Sequence, residues 1–230
     1  MLTDYLIIGS GIAGLSFALK VSEHLPDATI TIITKSSANE GSTRYAQGGI
    51  AVVLDSINDS FDKHINDTLL AGDGLCNPEI VEMVVKKAPE RLEELIRYGV
   101  NFNKNNSKEY DLGKEGGHSA NRILHHYDST GNELENVLLR NIENRSNIFT
   151  YPYLFVLDLI IKNNICVGVY THDVNTGFVD KIVSKVTLLA TGGIGQVFKF
   201  TTNPMVSTGD GIAMAFRAKA KVSEMEFVQF

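Results

Sequence analysis

The residues with the clearest chemical signal form a glycine-rich segment near the start of the 230-residue sequence. Three glycines stand there in a GxGxxG pattern, between an apolar run and an amphipathic one. Between a strand and a helix, such glycines allow a tight turn and let a pyrophosphate approach the amides of the helix N-terminus. The spacing therefore predicts a dinucleotide-binding loop. Its residues are Gly9, Ser10, Gly11, Ile12, Ala13 and Gly14.

The residue that contacts the ribose of such a dinucleotide usually lies about 20 residues after the last glycine and is acidic. This sequence has Thr34 at that position, followed by Lys35. A threonine hydroxyl can still bond a ribose, and Lys35 could face a phosphate, as in an NADP site. A solvated lysine at a strand end is the simpler interpretation. The residues alone leave these alternatives open.

A second glycine-rich loop follows, and it is too long and too polar for a simple turn. Its glycines and small side chains would let backbone amides lie against a flat ring and its polar edge. The loop is therefore a second candidate for cofactor contact. It consists of Ser42, Thr43, Arg44, Tyr45, Ala46, Gln47, Gly48 and Gly49.

A third polar segment contains Glu115, His118, Arg122 and His125. Glu115 is most simply a solvated loop charge, whereas Arg122 could pair with a substrate carboxylate or form a structural ion pair. Either histidine could bond a substrate or order the loop. Their spacing is not that of a helical metal pair and a third ligand is missing, so we predict no metal site. Three other histidines lie in surface-like contexts and receive no role: His24, His64 and His172.

The composition narrows the functional classes. The sequence has 21 Lys+Arg against 27 Asp+Glu, a net charge of −6 that gives no electrostatic footprint for a nucleic-acid backbone. No apolar run approaches the roughly 18 residues that span a bilayer, and the N-terminus lacks the basic region of a secretory signal. Cys76 and Cys166 lie far apart without CxxC spacing, which indicates reduced thiols. We therefore expect a cytoplasmic protein that binds neither nucleic acid nor membrane.

These loops require strands and helices that hold them in place. The apolar run 6–8 and the β-branched run 29–34 are typical of buried strands, and the helical pattern between them completes a βαβ unit.

Pro89 should divide or kink one later helix, because proline removes an amide donor. Asp210 precedes the last helix and could cap it or contact the cofactor. Amphipathic periodicity predicts these later helices over 61–70, 77–99, 132–143 and 212–219.

In the second half of the sequence the hydrophobic period falls to two. Runs 155–161, 165–170 and 178–183 predict a three-stranded antiparallel meander, and run 186–191 predicts a further buried strand. The polar segment 104–117 should be a loop, and the sequence ends in a strand-like tail. Together these elements predict an α/β fold. It combines a Rossmann-like parallel sheet, with helices on both faces, and a three-stranded antiparallel β-meander.

Several segments of the sequence, taken in order, resemble the flavoproteins of the succinate dehydrogenase/fumarate reductase class. The similarity extends over essentially the whole sequence, and so many ordered segments are far more specific than one phosphate loop. It implies that residues 1–230 form one FAD-binding domain. It also implies an N-terminal part of a longer enzyme, with the capping domain and C-terminal segments absent. The matching segments are 9–14, 40–49, 115–119, 122–125, 190–193, 201–204 and 209–215.

The resemblance also assigns the cofactor. In this class a Ser/Thr-Lys pair commonly replaces the acidic ribose contact, which assigns Thr34 and Lys35 to FAD rather than to NADP. Asp210 is likewise assigned to the cofactor. Covalent members carry a histidine seven residues before the last glycine of the second loop, and this sequence has Ser42 there. The resemblance therefore implies that FAD is bound non-covalently.

Within this class the sequence is most similar to members that oxidise L-aspartate to iminoaspartate, with oxygen or fumarate as electron acceptor. That reaction belongs to quinolinate and NAD biosynthesis, so quinolinate synthase is a candidate partner. Glu115 matches the glutamate that recognises the substrate in these enzymes, and it is our candidate catalytic residue. Two alternatives remain: a soluble fumarate reductase or succinate dehydrogenase-like flavoprotein, and a non-catalytic NADP-binding module. Because the other substrate-binding residues belong to later segments of the family, we expect the 230-residue chain alone to be inactive and to hold FAD weakly.

Overall fold

The computed structural model describes every residue from Met1 to Phe230. The chain forms two compact units: the first consists of residues 1–45 and 138–230, and the second consists of residues 46–137. The strands are β1 (Leu2–Ile8), β2 (Ile30–Ile33), β3 (Ile50–Ala51), β4 (Leu112–Gly113), β5 (Ile123–Leu124), β6 (Ile148–Tyr151), β7 (Leu154–Lys162), β8 (Ile165–Asp173) and β9 (Val179–Leu189). The helices are α1 (Ile12–His24), α2 (Phe61–Ala71), α3 (Pro78–Tyr98), α4 (Thr130–Glu143) and α5 (Asp210–Arg217). None of these helices combines the length and apolar character needed to cross a membrane.

The first unit is built on a six-stranded sheet in the order β6-β2-β1-β9-β8-β7. Strands β6, β2, β1 and β9 run parallel, whereas β9, β8 and β7 pair antiparallel. The predicted α/β fold, with a parallel sheet and an antiparallel meander, is therefore confirmed. Because β1 lies between β2 and β9, a ligand crevice is expected at the C-terminal ends of these strands. The core beside the sheet is the buried cluster of Leu6, Ile8, Ile33, Val156, Val169, Ile182 and Met214.

Strand β9 belongs to both halves of this sheet. Its residues 179–183 pair with β8, and its residues 183–189 pair with β1. The sequence pattern predicts two strands here, and that prediction is wrong. Ser184 and Lys185 interrupt the apolar pattern, but β1 runs alongside across this point, with Thr3 opposite Ser184. The backbone partners that β1 supplies keep the strand continuous.

Other differences from the sequence prediction are local. Strand β6 is not predicted, because it has only four residues, lies at the sheet edge and exposes part of its surface. Helix α3 is not divided at Pro89; it continues to Tyr98 and ends at Gly99, whose φ of 103° is left-handed. Helix α5 ends before Lys219, which has a left-handed φ of 60°. The expected strand-like tail is wrong, because the residues after α5 have no partner strand.

The second unit combines α2 and α3 with a small antiparallel sheet in the order β3-β5-β4. Part of the predicted loop 104–117 is in fact strand β4, which pairs with β5. Asn77 caps α3, since its side chain accepts hydrogen bonds from the amides of Glu79 and Ile80. Strand β5 begins directly after Arg122. The core of the unit is the cluster of Val52, Leu92, Val100, Phe102, Leu124, Leu134 and Val137.

Candidate functional site

A cavity of about 340 Å³ lies in the first unit, where β1, β2 and β9 end and α1 and α5 begin. This volume is in the range of small-molecule and cofactor sites. The structure therefore brings most of the first glycine loop together with residues from three distant segments. Gly14 is not among the lining residues; it is buried in α1. The candidate cofactor residues that line the cavity are Gly9, Ser10, Gly11, Ile12, Ala13, Thr34, Lys35, Ser42, Thr43 and Asp210.

The start of α1 is open toward a phosphate. Gly9 has a left-handed φ of 111°, and a Cβ atom there would collide with the carbonyl oxygen of Ala190. The turn can therefore lie against the end of β9 only because residue 9 is glycine. Gly11 is the N-cap of α1 and supplies no side chain to cap it, and the first turn contains no acidic residue. The positive end of the helix dipole and the first-turn amides other than that of Ile12, which donates to Thr43, are thus available to a pyrophosphate.

The beginning of the second glycine loop lies beside this helix start. The backbone amide of Ile12 donates to Oγ1 of Thr43 at 3.0 Å. The hydroxyl oxygens of Ser42 and Ser207 are 3.3 Å apart, and Ser207 is buried. These contacts hold residues 42 and 43 at the cavity, although Ser42 itself is exposed to solvent.

Lys35 and Asp210 meet at the same cavity. The ammonium of Lys35 donates to the Asp210 carboxylate and to Oγ1 of Thr208, and Thr208 also donates to Asp210 at 2.7 Å. Burial alone would raise the pKa of Asp210, but the hydrogen bonds from Lys35 and Thr208 lower it overall. Gly209, rather than Asp210, occupies the N-cap of α5. Lys35 is therefore not a solvated strand end, and its charge is matched by a carboxylate, which weakens the case for an NADP phosphate.

The rest of the second loop is divided between the two units. In the first unit, the hydroxyl of Tyr45 donates to the Glu40 carboxylate at 3.1 Å, and the amide of Arg44 donates to the carbonyl of Gly41 at 3.2 Å. The exposed residues Ala46, Gln47, Gly48 and Gly49 belong to the second unit. A side chain at Gly49 would collide with the carbonyl oxygen of Leu124, so this glycine is required by packing on β5.

Glu115 lies in the second unit, at the first position of a turn. The amide of His118 donates to the carbonyl of Glu115 at 3.0 Å, and Gly116 and Gly117 are the exposed residues between them. The Glu115 side chain is also exposed. A carboxylate presented on a glycine turn can receive a cationic group of a ligand.

Arg122 is a structural residue of the second unit. Its side chain is completely buried, and its guanidinium donates to Asp59 and Asp67 at distances of 2.7 to 2.9 Å. Of the two roles left open by the sequence, the structure therefore supports the ion pair. The sequence does not reveal that Asp59 and Asp67 are the partners of Arg122, because they precede it by 63 and 55 residues.

The histidines of this unit each have a protein neighbour. His64 is buried rather than surface-exposed, so the sequence interpretation of this residue is wrong; it is the only buried residue of α2. Its ring contacts that of His118 edge-on, with the centroids 6.0 Å apart. Nε2 of His125 lies 3.8 Å from the Asp111 carboxylate, and Nδ1 of His126 is 2.8 Å from the carbonyl oxygen of Asn101.

Part of the cavity lining is not predicted from the sequence. The start of β7 contributes because it follows β6, the edge strand that the sequence pattern does not reveal. Ser207 contributes from the loop before α5, and its position two residues before Gly209 is the only signal that could have indicated it. The unpredicted lining residues are Leu154, Phe155, Val156, Val206 and Ser207.

Comparisons with known sequences support a cofactor site at this cavity. A family profile described as an FAD binding domain matches residues 4–230. L-aspartate oxidase 2-b of Nicotiana tabacum, a chloroplastic protein, is 46% identical over 231 residues, which cover 99% of this chain and 35% of the relative. L-aspartate oxidase of Yersinia pestis is 44% identical over 240 residues, which cover 100% of this chain and 44% of the relative. The chain thus spans less than half the length of these relatives.

Solved structures show the same fold. A variant of E. coli quinol fumarate reductase superposes with a TM-score of 0.91 at 29% identity, covering 94% of this chain and 37% of that chain. Sdh1 of Mycobacterium smegmatis, in complex with UQ1, superposes with a TM-score of 0.88 at 30% identity, covering 95% of this chain and 38% of that chain. The open helix start, the glycine turn and the cavity at the strand ends fit the cofactor of this family. The chain belongs to the FAD-binding domain family of flavoproteins, and its cofactor is FAD.

Proposed function

We propose that this chain is the FAD-binding part of an L-aspartate oxidase. The full-length protein would oxidise L-aspartate to iminoaspartate and pass the electrons to oxygen or fumarate. When bound, FAD supplies the redox chemistry by accepting a hydride from Cα of the substrate. The observation that carries this proposal is that relatives named L-aspartate oxidase match the entire chain at 44 to 46% identity. The product would enter quinolinate and NAD biosynthesis, with quinolinate synthase as the partner that consumes it.

The cavity residues have distinct roles in this proposal. The open N-terminus of α1, with residues 9–14, binds the pyrophosphate through backbone amides. Lys35 and Asp210 provide polar contacts to the rest of the cofactor, and residues 42–49 contact the flavin ring. The support for these assignments is that the first loop, Lys35, Asp210 and the start of the second loop line one cavity.

Glu115 is the substrate-recognising residue in this proposal. L-aspartate carries an α-ammonium that succinate and fumarate lack, and the exposed Glu115 carboxylate can form a charge-assisted hydrogen bond with it. We expect Glu115→Gln in the full-length protein to raise the KM for L-aspartate about tenfold or more, because such bonds are worth about 1.5–3 kcal/mol. The KM for fumarate, measured with an external reductant, should change less than about twofold, since fumarate has no ammonium.

The control for this experiment is Glu109→Gln, which removes another exposed carboxylate of the same unit. Its kinetics should match those of the wild type with both substrates. An unchanged KM for L-aspartate in Glu115→Gln would contradict the role of Glu115.

Non-covalent attachment of FAD is also part of the proposal. Ser42 occupies the position of the linking histidine, and a serine hydroxyl cannot form that bond. Acid precipitation of the full-length holoenzyme should therefore release the flavin into the supernatant. Flavin that remains with the precipitated protein would contradict this part.

A fumarate reductase is the second candidate, and the structural similarity to E. coli quinol fumarate reductase favours it, with a TM-score of 0.91. The two activities differ in their substrate. Turnover of L-aspartate by the full-length protein, without turnover of succinate, would support the oxidase; the reverse pattern would support the reductase.

We also propose a cytoplasmic location. Cys76 and Cys166 are free thiols in the structure, as expected of a protein in a reducing compartment.

A further inference from the structure

The turn that carries Glu115 is held at its Ser119 end mainly by one carboxylate. Oδ2 of Asp67, on α2, accepts hydrogen bonds from both the backbone amide and the hydroxyl of Ser119, each at 2.8 Å. The same oxygen accepts a third hydrogen bond from Nη1 of Arg122 at 2.7 Å. Two longer contacts, each at 3.4 Å, run from Nη2 of Arg122 to the Ser119 hydroxyl and from Nζ of Lys114 to the Ser119 carbonyl. Ser119 follows the Glu115 turn directly, so Asp67 sets where this turn ends.

Asp67 is itself held by a rigid group of charges. Arg122 is completely buried, and its remaining donors bind Asp59 in a bidentate pair. A bidentate guanidinium fixes the direction as well as the distance of its partners. Asp67 therefore has little freedom to move, and neither does the Ser119 backbone that it binds.

The tip of the turn has few contacts of its own, and the other end of the turn follows strand β4, which pairs with β5. A Cβ atom at Gly116 or Gly117 would meet no atom within 4 Å, so nothing packs against the tip of the turn. The hydrogen bond from the His118 amide to the Glu115 carbonyl connects the tip to the anchored end. The direction in which Glu115 points consequently depends on two anchors, strand β4 before it and residues 118 and 119 after it.

We infer that Asp67 is a positioning residue for Glu115, and that the specificity for an ammonium-bearing substrate depends on it. This inference rests on the proposed function, in which Glu115 receives the α-ammonium of L-aspartate. Asp67 acts through the Ser119 amide and hydroxyl and does not contact the substrate. The competing explanation is that Asp67 only neutralises Arg122, as Asp59 does.

The test uses the full-length protein loaded with FAD and the variant Asp67→Asn. Loss of a carboxylate that accepts three hydrogen bonds should release the turn and raise the KM for L-aspartate about fivefold. The KM for fumarate, measured with an external reductant, should change less than about twofold, because fumarate does not need Glu115. An equal increase in the KM for both substrates, or no increase in the KM for L-aspartate, would overturn the inference. The matched control is Asp62→Asn, an exposed aspartate on the same helix, which should leave both KM values unchanged.

A double-variant cycle separates positioning from loss of stability. In a Glu115→Gln background, Asp67→Asn should raise the KM for L-aspartate by less than about twofold, because the residue it positions is already lost. A full fivefold effect in that background would overturn the inference while leaving the role of Glu115 intact. If Glu115→Gln alone has no effect, the proposed role of Glu115 fails and the positioning role fails with it.

A milder variant covers the case in which Asp67→Asn does not fold. Ser119→Ala removes one donor to Asp67 and the 3.4 Å contact from Nη2 of Arg122 to the Ser119 hydroxyl, and it leaves the bonds between Arg122 and both carboxylates in place. It should raise the KM for L-aspartate about threefold without changing that for fumarate. Hydrogen exchange of residues 115–119 should also become faster, and an unchanged KM with unchanged exchange would overturn the inference.

Discussion

Arg122 binds Asp59 through two parallel hydrogen bonds, from Nε to Oδ2 at 2.9 Å and from Nη2 to Oδ1 at 2.8 Å, and both side chains are shielded from water. A charge in such a place is tolerated only while its partner is present, because an unpaired buried ion has lost its hydration. The pair therefore makes the second unit sensitive to changes at either residue.

The first prediction concerns this pair. Arg122→Met should lower the free energy of unfolding by about 3–5 kcal/mol, since it leaves the buried Asp59 carboxylate without its charged partner. Urea unfolding followed by circular dichroism measures the change. Arg97→Met is the control, because Arg97 is exposed on α3, and its effect should stay within about 0.5 kcal/mol. If Arg122→Met lowers the free energy of unfolding by less than about 1 kcal/mol, the ion pair contributes little to stability.

The second prediction concerns pH. Burial lowers the pKa of His64 below its ordinary value of 6.5, and the charges of Arg122 and His118 lower it further, against the opposite effect of Asp59 and Asp67. The unfolded chain therefore binds a proton at this histidine more readily than the folded chain. The contribution of His64 to stability is complete above pH 6.5 and decreases as the pH falls below that value.

Replacement of His64 should make the Tm depend less steeply on pH. The Tm of His64→Gln should depend less on pH than that of the wild type between about pH 7.5 and pH 5, whatever its absolute value. Thermal unfolding at a series of pH values measures the slope. His24→Gln replaces an exposed histidine and should keep the wild-type slope. Equal slopes for His64→Gln and the wild type would show that another group causes the pH dependence.

The sequence predicts the features that depend on neighbouring residues. The first glycine loop lies between a strand and a helix as its pattern requires, because the turn, the strand and the helix start are local. Contacts between distant segments are not predicted: Lys35 and Asp210 are 175 residues apart in sequence. Both residues are predicted to contact the cofactor, but nothing in the local sequence indicates that their side chains meet.

The misjudged histidine illustrates the same limit. His64 stands among charged residues in the sequence, which is typical of a solvated helix. Its burial depends on which face of α2 packs against the rest of the second unit, and since His64 is the only buried residue of the helix, no buried apolar stripe marks that face. Similarly, Ser184 and Lys185 make β9 look like two strands, because the partner that keeps it continuous is β1, at the other end of the sequence.

The third prediction concerns the proline inside α3. Pro89 lacks an amide donor and lies within a continuous helix, where proline costs about 3 kcal/mol relative to a good helix former. Pro89→Ala should therefore raise the free energy of unfolding by about 1–3 kcal/mol. The control is Pro152→Ala in the exposed turn before β7, which should lower stability by about 0.4–1 kcal/mol, because a proline there restricts the unfolded chain. A lower Tm for Pro89→Ala would mean that packing of the ring outweighs the missing hydrogen bond.

The fourth prediction tests the cofactor cavity without relying on turnover. Gly11 has φ −74° and ψ 179°, a conformation open to any residue, and a Cβ atom there would lie 3.3 Å from Oγ1 of Thr43. Gly11→Ala should therefore fold, with a small shift of the Thr43 side chain. Its methyl group would nevertheless stand where a pyrophosphate must approach the amides of α1, and we expect the Kd for FAD to rise about tenfold or more.

Flavin fluorescence is a suitable measurement, because the flavin absorbs and emits visible light and the side chains of the protein do not. Titration of FAD with the chain, or with the full-length protein, gives the Kd for each variant. Gly113→Ala is the matched control, since its Cβ atom would make only ordinary contacts of 3.6 to 4.0 Å with Ile123, in the second unit. It should bind FAD like the wild type. If Gly11→Ala also binds FAD with the wild-type Kd, the pyrophosphate does not lie at the start of α1, and the cofactor must occupy another part of the molecule.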